Sequence, residues 1–94
     1  MSKTKIIVQI QKIDEMIKVL EEACTYFEWC LKEAEKSIET SVAQGFPEDK
    51  AKDYKENHWN PAKDKVMKVS NAIMSTHIPY LNRVRGGLMQ ILSM

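Results

Sequence analysis

Residues that interrupt helices are scarce in this sequence. Among its 94 residues there are three glycines and three prolines, and none of the six precedes Gly45. An all-β protein needs many tight turns, so this scarcity excludes that class. No apolar run approaches the roughly 20 residues that a membrane-spanning helix requires. We therefore expect one all-α domain over residues 1–94, with no membrane span.

The residue patterns that catalysis or metal binding requires are also missing. There is no glycine-rich phosphate loop, no cysteine pair at two-residue spacing, no His-Glu helix pair and no G-x-S-x-G elbow. Cys24 and Cys30 would lie roughly 9 Å apart along one helix, beyond the reach of a disulfide. His58 and His77 are far from both cysteines in the sequence, which leaves a metal site short of ligands. We expect no enzymatic activity, no metal and no cofactor.

Charge is unevenly distributed along the chain. Residues 1–44 carry six lysines and eight acidic residues, or −2, whereas residues 66–94 carry Lys68, Arg83 and Arg85 without an acidic residue, or +3. Three cations over this length are too sparse for a nucleic-acid-binding stripe, so we expect no nucleic-acid partner. Two interpretations remain. The cations complement the dipole of their own helix, or they pair with the acidic first helix of a neighbouring chain.

The N-terminus starts as a signal peptide would. Lys3 and Lys5 precede the apolar residues 6–8. Gln9 and Lys12 then end the apolar stretch, and no small-residue cleavage site follows. We therefore expect a cytoplasmic protein. If it is exported, it leaves without a cleaved signal peptide.

A strict heptad repeat dominates the first half of the sequence. Ten apolar residues, here called the seam, follow alternating spacings of four and three: Ile6, Ile10, Ile13, Ile17, Leu20, Cys24, Phe27, Leu31, Ala34 and Ile38. A seam at heptad positions a and d predicts an α-helix that packs along another helix. We expect this helix to span residues 4–43, with Ser2 or Thr4 as its N-cap.

The apolar surface of the predicted first helix is wider than its seam. Met16, Ala23 and Cys30 fall at position g, and Val19 and Tyr26 fall at position c. A helix with one neighbour needs only the seam, so the wider surface predicts further helical neighbours, as in a dimer or a heteromeric four-helix bundle.

The sequence predicts that the first helix carries the interface with a partner. The predicted interface residues are Ile10, Ile13, Ile17, Leu20, Tyr26, Phe27, Trp29 and Leu31. Trp29 lies at position f, opposite the seam. Either it packs beneath the C-terminal segment of the chain, or it anchors the partner, because tryptophan is enriched at binding hot spots.

A tight turn over residues 44–48 is predicted to reverse the chain. Gly45 suits the residue with positive φ that follows a helix, and Pro47 suits the first turn of the next helix. A connection this short makes the second helix, over about residues 48–92, antiparallel to the first. The predicted fold is a long antiparallel helical hairpin.

The second helix is less regular than the first. Pro61 and Pro79 predict that it is kinked or split. We expect its apolar stripe to follow a heptad with one four-residue stutter. The residues of this stripe are Val66, Val69, Ile73, His77, Leu81, Val84, Leu88 and Ile91.

Residues 45–55 resemble the turn of a known family. They fit the pattern G-F-x-x-x-A-x-x-Y-K, a form that the turn often takes in the small W-x-G-motif helical hairpins of type VII secretion. Phe46 stands in place of the family's tryptophan, Ala51 and Tyr54 take the positions of the small and aromatic residues that follow, and Trp59 lies one further turn on.

Two features depart from the family's pattern. Glu48 occupies the position of the family's glycine, and the C-terminal Y-x-x-x-D/E export signal is absent, since Tyr80 is followed four residues later by Val84. The resemblance implies a dimerising hairpin. A member without its own signal is expected to travel with, or escort, a partner that has one.

Our leading functional hypothesis is a W-x-G-like secretion substrate, targeting factor or chaperone. The resemblance implies that it binds the helical domain of a secreted effector, such as a toxin of the LXG class. The alternative is a small helical regulatory or inhibitory module, namely an antitoxin, an immunity protein or a phage-encoded inhibitor, that acts by protein contact.

Overall fold

The computed structural model describes residues 2–94 and confirms the all-α fold class, since every element in that range is helical. Helix α1 is followed by a turn and by a second arm, residues 48–93, in which two one-turn π-helices join three α-helices. The elements are α1 Lys3–Ala43, α2 Glu48–Tyr54, the π turn Lys55–Trp59, α3 Asn60–Ala72, the π turn Ile73–His77 and α4 Ile78–Ser93.

Helix α1 begins with the predicted serine cap. The hydroxyl of Ser2 accepts a hydrogen bond from the backbone N–H of Lys5 at 3.2 Å. This bond satisfies one of the N–H groups that have no partner in the first turn of a helix. The helix then continues without interruption to Ala43, as the absence of glycine and proline predicts.

Helix α1 ends in a Schellman motif that reverses the chain. The N–H of Gly45 donates to the carbonyl of Val42 at 3.1 Å, and the N–H of Phe46 donates to the carbonyl of Ser41 at 2.9 Å. Gly45 has φ of 112°, where a side chain would be strained. The predicted role of Gly45 is confirmed. Pro47 lies one residue before α2 as its N-cap.

The chain forms two compact units. The turn unit comprises Thr25–Ser70, and the terminal unit comprises residues 2–24 together with Asn71–Met94. Each unit contains part of α1 and a part of the second arm that runs in the opposite direction.

The seam supplies most of the buried side chains. All ten seam residues are buried or half-buried. In the terminal unit, Ile6, Ile10, Ile13 and Cys24 of the seam and Ile78 of α4 are each at most 7% exposed. Burying one isoleucine side chain stabilises a fold by roughly 1.5–3 kcal/mol. The heptad prediction for α1 is confirmed.

The second arm remains helical through both prolines. The N–H groups of Asn60 and Ile78 bond to carbonyls five residues back instead of four. Each of these wide turns ends two residues before a proline, Pro61 or Pro79. In a regular α-helix a proline ring collides with the carbonyl four residues earlier, so the extra residue in the wide turn relieves that collision. Of the two predicted alternatives, the second arm is not split at these prolines, and the kink stays a prediction.

The second π turn also shifts the register of the second arm. Between Val66 and Leu92 the less exposed residues keep heptad spacing, except for a gap of five residues that contains this turn. The extra residue of the turn fills the gap, so α4 presents a new set of residues to α1. These facing positions are Val66, Ser70, Ile73, Ile78, Leu81, Arg85, Leu88 and Leu92.

The apolar stripe predicted for the second arm is therefore only half right. Val69, His77, Val84 and Ile91 were expected to face α1, but all four are exposed. The predicted stripe followed apolar side chains and passed over Ser70 and Arg85, which are polar residues at facing positions.

Replacing a seam isoleucine by alanine tests the core. Ile10→Ala should lower the free energy of unfolding by about 2–5 kcal/mol, because it leaves a cavity among buried side chains. The matched control is Ile7→Ala on the same helix, where the side chain is 44% exposed and the expected loss is about 1 kcal/mol or less. Urea denaturation followed by circular dichroism measures both, and equal losses would contradict the proposed core.

A deletion tests the register shift. Removing His77 together with Pro79→Ala should restore an unbroken heptad across residues 73–78, so the urea midpoint should equal or exceed that of the wild type. The control removes Lys68 with the same Pro79→Ala change. It rotates all later residues by about 100° and should lower the midpoint strongly. Equal effects of the two deletions would contradict the role of the π turn.

Candidate protein-binding surface

In each unit an ion pair between the two arms marks one edge. In the terminal unit, Nε of Arg85 donates to Oδ1 of Asp14 at 2.7 Å. In the turn unit, Nζ of Lys63 and Nε1 of Trp59 both donate to Oε1 of Glu35. Asp14 and Glu35 are three heptads apart and share position e. We call this side of each unit the polar edge.

The opposite side of α1, at positions g and c, is apolar between residues 16 and 30. Met16 and Val19 lie there in the terminal unit, and Tyr26 and Cys30 lie there in the turn unit. Val19 is 62% exposed and Tyr26 is 61% exposed. Around the helix, position e lies beside position a, whereas positions g and c lie beside position d. The side chains at g and c therefore lie on the side of the seam away from the ion pairs. We call this side the apolar edge.

The second arm extends the apolar edge. Lys63 and Arg85 occupy positions that face α1 on the side of the polar edge. Val66, Leu81 and Leu88 face α1 on the other side of the arm, so the residues next to them around the helix lie toward the apolar edge. This places Val69 there in the turn unit, and Val84, Ile91 and Tyr80 there in the terminal unit. All four side chains are exposed.

An aromatic pair is the most prominent feature of the turn unit. The rings of Tyr26 and Trp29 stack with centroids 6.0 Å apart and an interplanar angle of 23°. The thiol of Cys30 is hydrogen-bonded to Tyr26, and this bond raises the pKa of the Tyr26 hydroxyl. We call these three residues the aromatic patch.

The exposure of Trp29 bears on one of the two interpretations of that residue. Its side chain is 56% exposed, so it does not pack beneath the C-terminal segment of the chain. A large indole left in water is unfavourable and is the type of side chain that anchors protein interfaces. The other interpretation, an anchor for a partner, stays a prediction.

The structure separates the residues of the turn motif. Ala51 is buried, whereas Phe46 and Tyr54 are exposed and line a shallow depression together with Ile38. Trp59 lies elsewhere, since its indole donates to Glu35 on the polar edge at 3.4 Å. The exposed aromatic rings of the turn are thus Phe46 and Tyr54.

The predicted partner interface divides into two groups. Six of its residues belong to the seam: Ile10 and Ile13 are buried, and Ile17, Leu20, Phe27 and Leu31 are half-buried. The other two, Tyr26 and Trp29, are exposed. The involvement of the seam in partner binding stays a prediction.

The part of the chain that the structure describes, residues 2–94, shows no group of three or more histidine, cysteine or acidic side chains arranged to hold a metal ion. In the same range, no helix is both long and apolar enough to cross a membrane. Comparisons with protein-family models, with curated proteins and with solved structures find no match to this chain.

Glu35→Gln tests the ion pair of the turn unit through its pH dependence. Hydrogen bonds from Lys63 and then Trp59 lower the pKa of Glu35. The carboxylate therefore stabilises the fold above its unperturbed pKa of about 4.3, and this contribution is lost as pH falls through the lowered value. We expect the variant to unfold at lower urea than the wild type near neutral pH, with a difference that shrinks in acid.

The control for this experiment is Glu22→Gln, at an exposed position of α1. It should follow the wild type at every pH. A constant difference between Glu35→Gln and the wild type across the whole pH range would contradict a stabilising role of the ionised carboxylate.

Proposed function

We propose that this chain is a non-enzymatic helical partner protein that binds another helical protein through its apolar edge. The observation that carries the proposal is the aromatic patch. Tyr26 and Trp29 remain exposed on a helix whose seam is already packed against the second arm. Large rigid aromatic side chains contribute much binding energy at little cost in conformational entropy.

The position of the aromatic patch favours a helical partner. Tyr26 and Cys30 lie four residues apart at c and g, the spacing that brings two side chains onto one face of a helix. Val69 of the second arm lies on the same edge of the turn unit. A helix lying along this edge would contact both arms, which is the arrangement of a four-helix bundle when the partner supplies two helices.

We further propose that the partner is a secreted effector and that the chain acts in the cytoplasm as its targeting factor or chaperone for type VII secretion. The support for this is the resemblance of the turn. Gly45 has the positive φ that the turn requires, and Phe46 and Tyr54 present their rings to solvent. The bound domain would be the N-terminal helical domain of an effector such as an LXG toxin.

Co-expression with the products of neighbouring genes tests the proposal. A helical effector domain should co-purify with the chain through size exclusion, and Trp29→Ala should weaken its binding by at least about tenfold. The matched control is Lys32→Ala, at an exposed position b on the same stretch of α1, which should bind as the wild type does. A chain that captures no neighbouring product, or an effector bound equally well by Trp29→Ala, would contradict the proposal.

A further inference from the structure

Two exposed residues of opposite charge lie beside the aromatic patch on the apolar edge of the turn unit. Glu33 of α1 follows Tyr26 by seven residues, so both occupy position c. Lys65 of α3 precedes Val69 by four residues, so it lies one turn from Val69 on the same side of that helix. Both charged residues are exposed. We call Glu33 and Lys65 the flanking charges.

The flanking charges lie at one height in the turn unit. The ion pair of Lys63 and Glu35 places those two residues level with each other, and α1 and α3 run in opposite directions. Glu33 lies two residues before Glu35, and Lys65 lies two residues after Lys63. Each is therefore displaced by about 3 Å from the ion pair, in the same direction, at about 1.5 Å per residue.

Neither flanking charge forms an ion pair within residues 2–94. The ion pairs in that range are Lys12–Glu15, Lys52–Glu56, Lys63–Glu35 and Arg85–Asp14. Lys65 has no acidic residue three or four positions away in its own helix, and Glu33 is not paired with Lys36, which lies three positions on. Although they are level, Glu33 and Lys65 belong to different arms and do not pair with each other. Both charges are thus free to pair with another protein.

We propose that the effector helix bound along the apolar edge carries a basic residue that pairs with Glu33 and an acidic residue that pairs with Lys65. This inference rests on the proposed function and specifies the chemistry of its partner. The apolar stripe of the effector helix packs against the aromatic patch, and its two charged residues lie on either side of that stripe. Because Glu33 and Lys65 are level, those two residues are one or two positions apart in the effector sequence, since consecutive residues of a helix are separated by about 100°.

The flanking charges supply the specificity that the aromatic patch lacks. The rings of Tyr26 and Trp29 can pack against the apolar stripe of many helices. An effector helix with a carboxylate beside Glu33, or an ammonium group beside Lys65, would meet a like charge and bind weakly. Charges at the rim of an interface select the partner and fix its register more than they raise its affinity.

Reversing each charge tests the inference on the complex. The effector domain recovered by co-expression is titrated with the chain by isothermal titration calorimetry. We expect Glu33→Lys and Lys65→Glu each to weaken binding by about fivefold or more, with unchanged circular dichroism because both residues are exposed. The matched controls are Glu28→Lys at position e and Lys32→Glu at position b, both exposed and away from the apolar edge. These two should bind as the wild type does.

The double variant E33K/K65E separates contacts with the effector from an interaction between the two positions of this chain. An attraction between positions 33 and 65 would survive the exchange of charges, so the double variant would bind better than either single variant. We expect it to bind more weakly than both, because both contacts with the effector are then repulsive. Recovery of wild-type binding by the double variant would overturn the inference.

The outcomes separate this inference from the proposed function. If the effector domain binds and Trp29→Ala weakens it, but both charge reversals bind as the wild type does, the inference fails and the proposed function stands. If no effector domain binds, or if Trp29→Ala has no effect, the proposed function fails and the inference fails with it. A dimer of the free chain that the effector domain does not dissociate would place a second copy on the edge, and would also overturn the inference.

Discussion

The packing of the α1 seam against the second arm is the interaction on which the rest of the structure depends. The seam keeps its heptad spacing from Ile6 to Ile38, and all ten of its residues are buried or half-buried. The second arm must match this regular surface while it carries Pro61 and Pro79. Each π turn lets the helix pass a proline and inserts one residue, and the register of α4 follows from that insertion.

Because the seam packs within the chain, the exposed apolar side chains of α1 lie on its other sides. The two flanks differ. Position e bears the carboxylates of Asp14 and Glu35, which pair with the second arm, together with the exposed Ile7. Between residues 16 and 30, positions g and c bear only apolar side chains. Tyr26 and Cys30 of the aromatic patch occupy positions c and g in the turn unit.

The features that could be predicted from the sequence are those that depend on the chemistry of neighbouring residues in the chain. The seam of α1 was predictable because its spacing is regular, and the turn was predictable because Gly45 alone suits a positive φ. The second arm was harder, because a polar residue, Arg85, occupies a position that faces α1 and pairs there with Asp14. The π turns depend on how the second arm accommodates a proline while it remains packed against α1. No local sequence pattern encodes this.

The candidate binding surface was predictable only in part, for a related reason. The heptad assignment places Tyr26 and Trp29 off the seam, but it does not predict whether the second arm covers them. In the structure both side chains are exposed, and so are Tyr80 and Val84 of α4. The sequence pattern had placed Val84 in the stripe facing α1 and had not included Tyr80 in it. Exposure of an apolar side chain is a property of the folded arms together and cannot be read from one helix.

Acrylamide quenching of Trp29 fluorescence tests the central claim most directly. In a Trp59→Phe chain, Trp29 is the single tryptophan, and its indole is exposed in the free chain. The account predicts ready quenching of the free chain and strong protection when the helical domain of the effector is bound. Equal quenching of Trp29 in the free chain and in the complex would contradict it.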